Sequence, residues 1–253
     1  MDLTHHRHEV SVMPEDIGRK ACLVGGYAAL GSFLLTLFDI IFGSLTSGNL
    51  TTLPQTAVER FAEFQGSMLM GLYHLDFLNA VNTLVMVPVT LALLFVHRKK
   101  GLLPAAFAAS LSLIGTAVFL SANAALPMLE LSGRYHAASD DAQRVVLAGA
   151  GEALLAKGAH GSLGAFPGFF LLTLATFSMA VVLLNGKVFT KRVAYLGILG
   201  NALLLVYLLL VTFVPSLQGI AVIMAAPGGI MALVWLLFVG MRLIRMGREA
   251  GLR

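Results

Sequence analysis

Charged residues are scarce in this chain of 253 amino acids. Asp, Glu, Lys and Arg together make up 12% of the sequence, whereas a typical soluble protein carries about 25%. Cysteine is nearly absent as well, because Cys22 stands alone and cannot form an internal disulfide. These two shortages exclude an ordinary soluble domain and a fold that disulfide bonds hold together.

Long apolar runs stand where charged residues are missing. A helix of about 20 apolar residues crosses the hydrocarbon core of a membrane. Six runs reach this length: Ala21–Phe42, Phe77–Val96, Leu102–Leu126, Ser162–Leu184, Val193–Val214 and Ile220–Met241. We therefore predict an all-α integral membrane protein, a six-helix bundle in which residues 21–243 form a single six-span domain. An N-terminal tail at 1–20 precedes it and a basic C-terminal tail at 244–253 follows it.

The basic residues divide unevenly between the two sides of the predicted bundle. With six spans, both termini lie on one side, together with the loops Arg98–Gly101 and Gly186–Arg192. Thirteen of the 17 Lys and Arg residues fall on that side. The positive-inside rule therefore predicts that both termini are cytoplasmic in a multi-pass protein of the cell membrane. The net charge of +4 then reflects topology and contact with anionic lipid, and no nucleic-acid partner is predicted.

The first long outer loop, Gly43–Asp76, contains a helical pattern. Ala57, Phe61 and Phe64 recur at the spacing of one helix face, and charged residues occupy the other faces. This pattern predicts a short amphipathic helix that lies against the bundle.

The second long outer loop, Pro127–Gly161, contains another. Ser139 is a candidate N-cap, and acidic residues follow it at the positive end of the helix dipole. The apolar positions that share one face are Val146, Ala150 and Leu154. We therefore predict two short amphipathic helices in the outer loops.

Polar residues are rare inside the spans and gather near their outer ends. Ionisable groups within a membrane are costly, so each one is a functional hypothesis. The candidate ligand-binding residues are Asp39, Asp76, Asn79, Asn82, Asn123 and His160. Since the inner halves of the spans hold few polar groups, the distribution predicts an outward-facing polar pocket with an apolar floor.

The stretch "YHLDFLNAVN" at 73–82 supplies half of these candidates. At about 100° per residue, Asp76, Asn79 and Asn82 fall within an arc of roughly 120° on one helix face. His74 lies about 140° from the middle of that arc on the same count. The neighbouring His74 and Asp76 are therefore not predicted to form an acid–base pair.

Several interpretations of this polar group stay open. The residues could make only hydrogen bonds between helices, or they could form a site for a ligand, an ion or a proton. A zinc site made by Asp39, Asp76 and His160 uses proper ligand types, but no ligand pair stands at a chelating helical spacing. We therefore predict no metal and no catalytic residue, and the sequence specifies no cofactor.

Four stretches of the chain resemble a bacterial family of multi-span membrane proteins known as domain of unknown function 4386. These stretches are "YHLDFLNAVNTLVMVPVTLALLFV", "RYHAASDDAQRVVLAGAGEALLA", "TKRVAYLGILGNALLLV" and "APGGIMALVWLLFVG". The resemblance implies a helical bundle in the cytoplasmic membrane. It implies no established reaction and no catalytic residue.

The function that these observations favour is non-enzymatic. We expect a membrane protein that binds a small molecule, a lipid, an ion or a partner in its outer pocket, as a sensor, an accessory or a transport-related protein. The alternative is an intramembrane hydrolase or transferase that uses the paired aspartates Asp39 and Asp76, either alone or together with His160 and a metal. The expected partners are the lipid bilayer, a small-molecule or lipid ligand and, because glycines on spans four and five permit close packing, a second copy of the chain.

Overall fold

The computed structural model describes residues 15–46 and 53–249, and every regular element within these two ranges is a helix. The α-helices are α1 Glu15–Thr46, α2 Ala57–Gly66, α3 Met68–His74, α4 Phe77–Val96, α5 Leu102–Ala122, α6 Ala125–Ala137, α7 Asp141–Gly158, α8 Phe166–Gly186, α9 Lys191–Phe213 and α10 Gln218–Glu249. A short 3-10 turn, Pro215–Leu217, joins α9 to α10. The predicted all-helical fold is confirmed.

Six helical segments are long and apolar enough to cross a membrane, which confirms the predicted number of spans. They are built on α1, α4, α5, α8, α9 and α10, and they form a closed ring in chain order in which α10 returns to pack on α1. The bounds of α4 agree with the predicted span Phe77–Val96. α1 and α10 are longer than predicted, since α1 begins within the predicted tail at 1–20 and α10 continues to Glu249.

Glycine lets the helices of the ring approach each other closely, as in many membrane bundles. A β-carbon on Gly240 of α10 would lie 3.0 Å from the carbonyl oxygen of Gly26 on α1. One on Gly228 would lie 3.1 Å from the carbonyl oxygen of Gly200 on α9. The contacts of α10 with both of its neighbours therefore depend on residues without side chains.

The other four helices, α2, α3, α6 and α7, pack on one another over one end of the ring. We call this group the cap, its side of the ring the capped end, and the opposite side the basic end. The cap has a core of its own around Phe61, Leu75 and Met128, all of which are fully buried. Of the described basic residues, Arg60, Arg134, Arg144 and Lys157 lie in the cap and all others lie at the basic end. That the basic end faces the cytoplasm stays a prediction.

The first predicted outer helix corresponds to α2. Thr56 and Glu59 form a capping box at its start, in which each side chain accepts a hydrogen bond from the backbone N–H of the other residue. The predicted face of Ala57, Phe61 and Phe64 is buried. This prediction is confirmed, and α3 and α6 join the two predicted helices in the cap.

The second predicted outer helix corresponds to α7, but two details of its prediction are wrong. Asp140, not Ser139, caps the helix by accepting a hydrogen bond from the backbone N–H of Gln143. The buried face consists of Leu147, Gly151, Leu155 and Gly158, whereas Val146 is 71% exposed. The face is shifted by one residue because two of its four members are glycines, which an apolar pattern does not register.

Candidate functional site

Four polar side chains form a hydrogen-bonded series across the capped end of the ring. His160, in the loop between α7 and α8, places Nδ1 3.1 Å from Oδ2 of Asp76 and Nε2 3.0 Å from the hydroxyl of Tyr207 on α9. Asn79 donates a hydrogen bond of 2.8 Å to the other carboxylate oxygen of Asp76. The series therefore joins α4, the α7–α8 loop and α9 at one level of the ring.

The backbone at Asp76 explains how α4 presents this carboxylate. α3 ends at His74, and Asp76 turns the chain into α4 with φ 60° and ψ 25°. This left-handed conformation is uncommon for side chains other than Asn, Asp and His. The amide of Asn123, in the break between α5 and α6, donates to the carbonyl oxygens of Leu75 at 3.0 Å and Asp76 at 3.3 Å. Asn123 thus supports the turn that positions Asp76.

Beneath this series the six spans surround a cavity of about 360 Å³, which we call the central cavity. Polar lining residues near the capped end are Asn79, Asn82, His160 and Tyr207, and deeper ones include Ser32, Ser112, Asn201 and Trp235. Much of the remaining wall is apolar: Met86, Phe169, Leu172, Leu204, Leu233 and Leu236. The packed core around Val89, Leu93 and Leu183 lies between the central cavity and the basic end.

Three residues that line the central cavity each have a buried polar atom without a hydrogen-bond partner in the described part of the chain. These atoms are the hydroxyl of Ser32, Oδ1 of Asn82 and the indole N–H of Trp235. Ser32 is 0% exposed and Trp235 is 1% exposed, so water outside the protein does not reach them. Buried polar groups are nearly always hydrogen-bonded, and each exception calls for an explanation. The packing of the described helices therefore leaves hydrogen-bonding capacity at these three residues unused.

The predicted site residues separate into two groups in the structure. Asn79, Asn82 and His160 line the central cavity, and Asp76 bonds to His160 directly behind it. Asp39 is not bonded to this group, although it lies within electrostatic reach of Asp76 and His160, and the Tyr73 hydroxyl donates to its backbone carbonyl oxygen at 3.1 Å. The two aspartates therefore have different partners. Within the described ranges no group of three or more His, Cys, Asp or Glu residues could hold a metal ion.

His74 follows the prediction that it points away from Asp76. Its imidazole pairs with the carboxylate of Glu63 on α2, and Arg60 donates to the same carboxylate at 3.1 Å. This network connects α3 to α2 inside the cap. The histidine that bonds to Asp76 at the central cavity is His160 and not His74.

Opposite charges face each other in the pair of Asp76 and His160. Burial alone would lower the pKa of the His160 imidazole, but the adjacent Asp76 carboxylate raises it to about 10. Burial would raise the pKa of Asp76, yet the His160 charge and the hydrogen bonds from His160 and Asn79 hold it below its usual value. At neutral pH the two groups therefore form an ion pair.

The charge on His160 determines whether the hydroxyl of Tyr207 accepts or donates the hydrogen bond between them. An imidazolium donates from both ring nitrogens, so its Nε2–H donates to the oxygen of Tyr207 and leaves the phenolic O–H free to donate into the central cavity. The same imidazolium cannot accept a proton from Tyr207. The series is thus suited to presenting a hydrogen-bond donor, and it is not an activated nucleophile of the kind that a neutral histidine base creates.

The ion pair predicts a loss of stability at alkaline pH. Because the folded pKa of His160, about 10, exceeds its ordinary value of 6.5, its contribution is complete below pH 6.5 and is lost as pH rises through about 10. The expected slope is about 1 kcal/mol per pH unit, near the limit for one proton. Asp76 has the opposite dependence, since its lowered pKa makes its contribution disappear only as pH falls below 3.8.

Thermal unfolding in a mild detergent between pH 6.5 and 10 measures this slope, with His160→Gln as the uncharged comparison. For a chain of this size each kcal/mol corresponds to about 2–4 °C in the unfolding midpoint. The midpoint of the unmodified chain should fall by several degrees more than that of the variant. Parallel pH profiles would contradict the ion pair.

Sequence reasoning did not identify Tyr207 and Trp235 as neighbours of the candidate residues. One available signal concerns α9, where Asn201, Leu204 and Tyr207 follow the same three-residue spacing as Asp76, Asn79 and Asn82. That spacing keeps three side chains within an arc of roughly 120°. Helical spacing also places Ser32 on one face of α1 with Thr36 and Asp39. No such signal marks Trp235, because its position beside them depends on the order of helices around the ring.

The comparisons with known proteins extend over the same structural unit. A family model described as Domain of unknown function (DUF4386) matches residues 29–240. This stretch begins in α1 and ends in α10, and it contains the whole cap and every residue named above that lines the central cavity. No curated protein and no solved structure matches the chain.

Proposed function

The chain belongs to the DUF4386 family, and we propose that it binds an uncharged, largely apolar small molecule or lipid in the central cavity of its six-helix ring. The observation that carries this proposal is one cavity whose lining residues include three, Ser32, Asn82 and Trp235, that each have a buried polar atom without a partner. A volume of about 360 Å³ lies within the range of small-molecule sites, about 300–1,000 Å³.

The wall of the cavity favours an uncharged ligand. His160 and Tyr207 are its titratable lining residues, and the charge of His160 is already balanced by Asp76 behind the wall. A charged ligand would therefore lose its hydration without meeting a free counter-charge, which is costly in a buried site.

The hydrogen-bonding groups narrow the ligand further. The hydroxyls of Ser32 and Tyr207 can each donate, and the carbonyl of the Asn82 side chain accepts. The proposed ligand therefore carries at least one acceptor, such as a carbonyl or an ether oxygen, on an apolar body. The leucine and phenylalanine side chains of the wall would contact that body, and the polar series at the capped end would fix its orientation.

A glycine in α10 allows the cavity to be filled without a clash. Gly229 lines the central cavity, and a β-carbon at this position would meet no atom within 4 Å. Gly229→Leu is therefore expected to place its side chain in the space of the ligand and to abolish binding while the ring stays folded. Organic extraction and mass spectrometry of protein purified in a mild detergent will measure the retained molecule.

Gly219→Leu is the matched control for this experiment. Gly219 also belongs to α10 and also has open space where a β-carbon would lie, but it does not line the central cavity. The unmodified chain and Gly219→Leu should retain the same compound in a fixed ratio to protein, and Gly229→Leu should lack it. Retention of that compound by folded Gly229→Leu, or a folded unmodified chain that retains none, would contradict the proposal.

A further inference from the structure

A second recess lies at the basic end, far from the cap. It measures about 1,050 Å³ and runs between the α8–α9 turn and the last turns of α10. Five basic side chains line it, and no acidic residue is among its lining residues: Lys187, Lys191, Arg192, Arg242 and Arg245. We call this recess the basic groove.

A turn of the backbone and a hydrogen bond hold the two walls of the basic groove in place. α8 ends at Gly186, and the next residue, Lys187, has a left-handed conformation with φ 56°, which turns the chain back toward α10. Nε of Arg242 then donates a hydrogen bond of 3.3 Å to the carbonyl oxygen of Val188 in that turn. The turn and α10 are thus joined, so the basic side chains converge on a surface of defined shape.

The charge of the groove is uncompensated in the described part of the chain, where none of its five cations takes part in a salt bridge. Like charges held together repel each other, and a bound anion removes that repulsion. Arginine and lysine also supply the N–H donors that phosphate oxygens accept. The groove is therefore chemically complementary to a phosphate group.

The apolar part of the wall of the basic groove indicates what kind of molecule carries the phosphate. Phe238 and Met241 line the groove on a membrane span and are 41% and 45% exposed. A phosphate on the basic side chains would thus lie beside an apolar surface that faces the hydrocarbon region. Basic recesses between spans on the cytoplasmic side are a recognised type of lipid headgroup site.

We propose that the basic groove binds the headgroup of an anionic phospholipid, with an acyl chain lying along Phe238 and Met241. This site is separate from the central cavity, and it does not depend on the function proposed for that cavity. It differs from general attraction to an anionic membrane, because it requires particular side chains in one recess.

Native mass spectrometry of the chain in a mild detergent, titrated with phosphatidylglycerol, cardiolipin or phosphatidylcholine, tests the proposal. The two anionic lipids should be retained in preference to phosphatidylcholine. The double variant Lys191→Gln with Arg245→Gln should bind them at least about tenfold more weakly, since one basic residue near an anionic surface is worth roughly a factor of five. The double variant Lys99→Gln with Lys100→Gln is the control, because it removes the same charge at the same end outside the groove.

Each outcome of this titration either supports or contradicts a specific lipid site. Equal weakening by the two double variants would show general charge attraction and overturn the site, as would equal retention of anionic lipid and phosphatidylcholine. Excess inorganic phosphate could displace the lipid while Phe238→Ala retains as much lipid as the unmodified chain. This result would contradict a lipid site and indicate a site for a free phosphate ion. Weaker lipid retention in Phe238→Ala, with little competition from phosphate, would support the proposal.

Discussion

Asp76→Asn is expected to lower the free energy of unfolding at neutral pH by about 3 kcal/mol. Removing one partner of a buried ion pair typically costs about 3–5 kcal/mol, and the ability of His160 to lose its proton keeps the loss at the lower end. The side chains of Asp76 and His160 are only 12% and 26% exposed. Asparagine accepts the left-handed backbone of position 76 as readily as aspartate does. The change therefore reports on the charge and not on the turn.

Denaturant or thermal unfolding in a fixed detergent measures this loss, and Asp141→Asn provides a matched comparison. Asp141 also pairs with a cation, Arg144 at 3.3 Å, but its side chain is 96% exposed. Exposed pairs contribute about 0–1 kcal/mol. The two variants make the same chemical change, so the difference between them isolates the effect of burial. Equal losses would mean that the pair of Asp76 and His160 adds nothing beyond an exposed contact.

The same variant links the ion pair to the proposed binding function. Without the carboxylate, the main cause that raises the pKa of His160 is removed while burial still lowers it, which favours the neutral imidazole. A neutral Nε2 accepts the hydroxyl proton of Tyr207, which then no longer points into the central cavity. Asp76→Asn should therefore also weaken retention of the cavity ligand, although Asp76 does not line the cavity. Stability and binding are thus expected to depend on a single protonation state.

The fold was largely predictable because length and hydropathy alone determine which segments cross a membrane. α4 agrees residue for residue with the predicted span, since His97 and the basic residues after it end the apolar run abruptly. The ends of α1 and α10 were less predictable. A helix can continue beyond the hydrocarbon core through polar residues such as Arg245 and Glu249, so hydropathy does not locate its end.

The candidate site was predictable in part, for a related reason. The three-residue spacing of Asp76, Asn79 and Asn82 is a local property of one helix, and it correctly grouped these side chains. Which residue meets them from another helix is a matter of packing order. The alternative of paired aspartates assumed that Asp39 lies near Asp76, and the structure does bring the two within electrostatic reach of each other. The bond from Asp76 to His160 was not expected, and it forms because the loop before α8 folds over the ring. Tyr207 was missed because it lies 47 residues after His160 in the chain and meets it only through the closed ring.

Glycines explain why the sequence did not predict the buried face of one helix in the cap. An apolar pattern is read from side chains, so a helix face made by glycines is not recognised as a contact surface. α7 illustrates this, since its buried face includes Gly151 and Gly158. A β-carbon on Gly151 would lie 2.6 Å from that of Ala57 on α2. The shifted face of α7 was thus a consequence of close packing and not of side-chain hydrophobicity.

Gly158 lies at the start of the loop that contains His160 and packs against neighbouring backbone. Gly158 ends α7, and its backbone lies directly against the break between α5 and α6. A β-carbon there would collide with the carbonyl oxygen of Ala122 and lie 2.8 Å from the backbone nitrogen of Ala124. Both of these atoms belong to the backbone, so no side chain can rotate away to make room.

Gly158→Ala is therefore expected to destabilise the protein by about 1–3 kcal/mol, the usual range for overpacking a close contact. Gly149→Ala is the control on the same helix, because a β-carbon at that position meets no atom within 4 Å. An exposed helix interior favours alanine over glycine by about 1 kcal/mol, so this control should be neutral or more stable. Unfolding of both variants in one detergent gives the comparison.

The collision at Gly158 is expected to move the loop that follows α7, so Gly158→Ala should affect more than packing. Moving the end of α7 outward moves His160, two residues later, away from both Asp76 and Tyr207. The variant should then lose the alkaline pH dependence of its unfolding midpoint as well as part of its stability, whereas Gly149→Ala should keep both. A destabilised Gly158→Ala protein with the full pH dependence would show that the loop holds His160 without this contact, and that the series depends on its own hydrogen bonds alone.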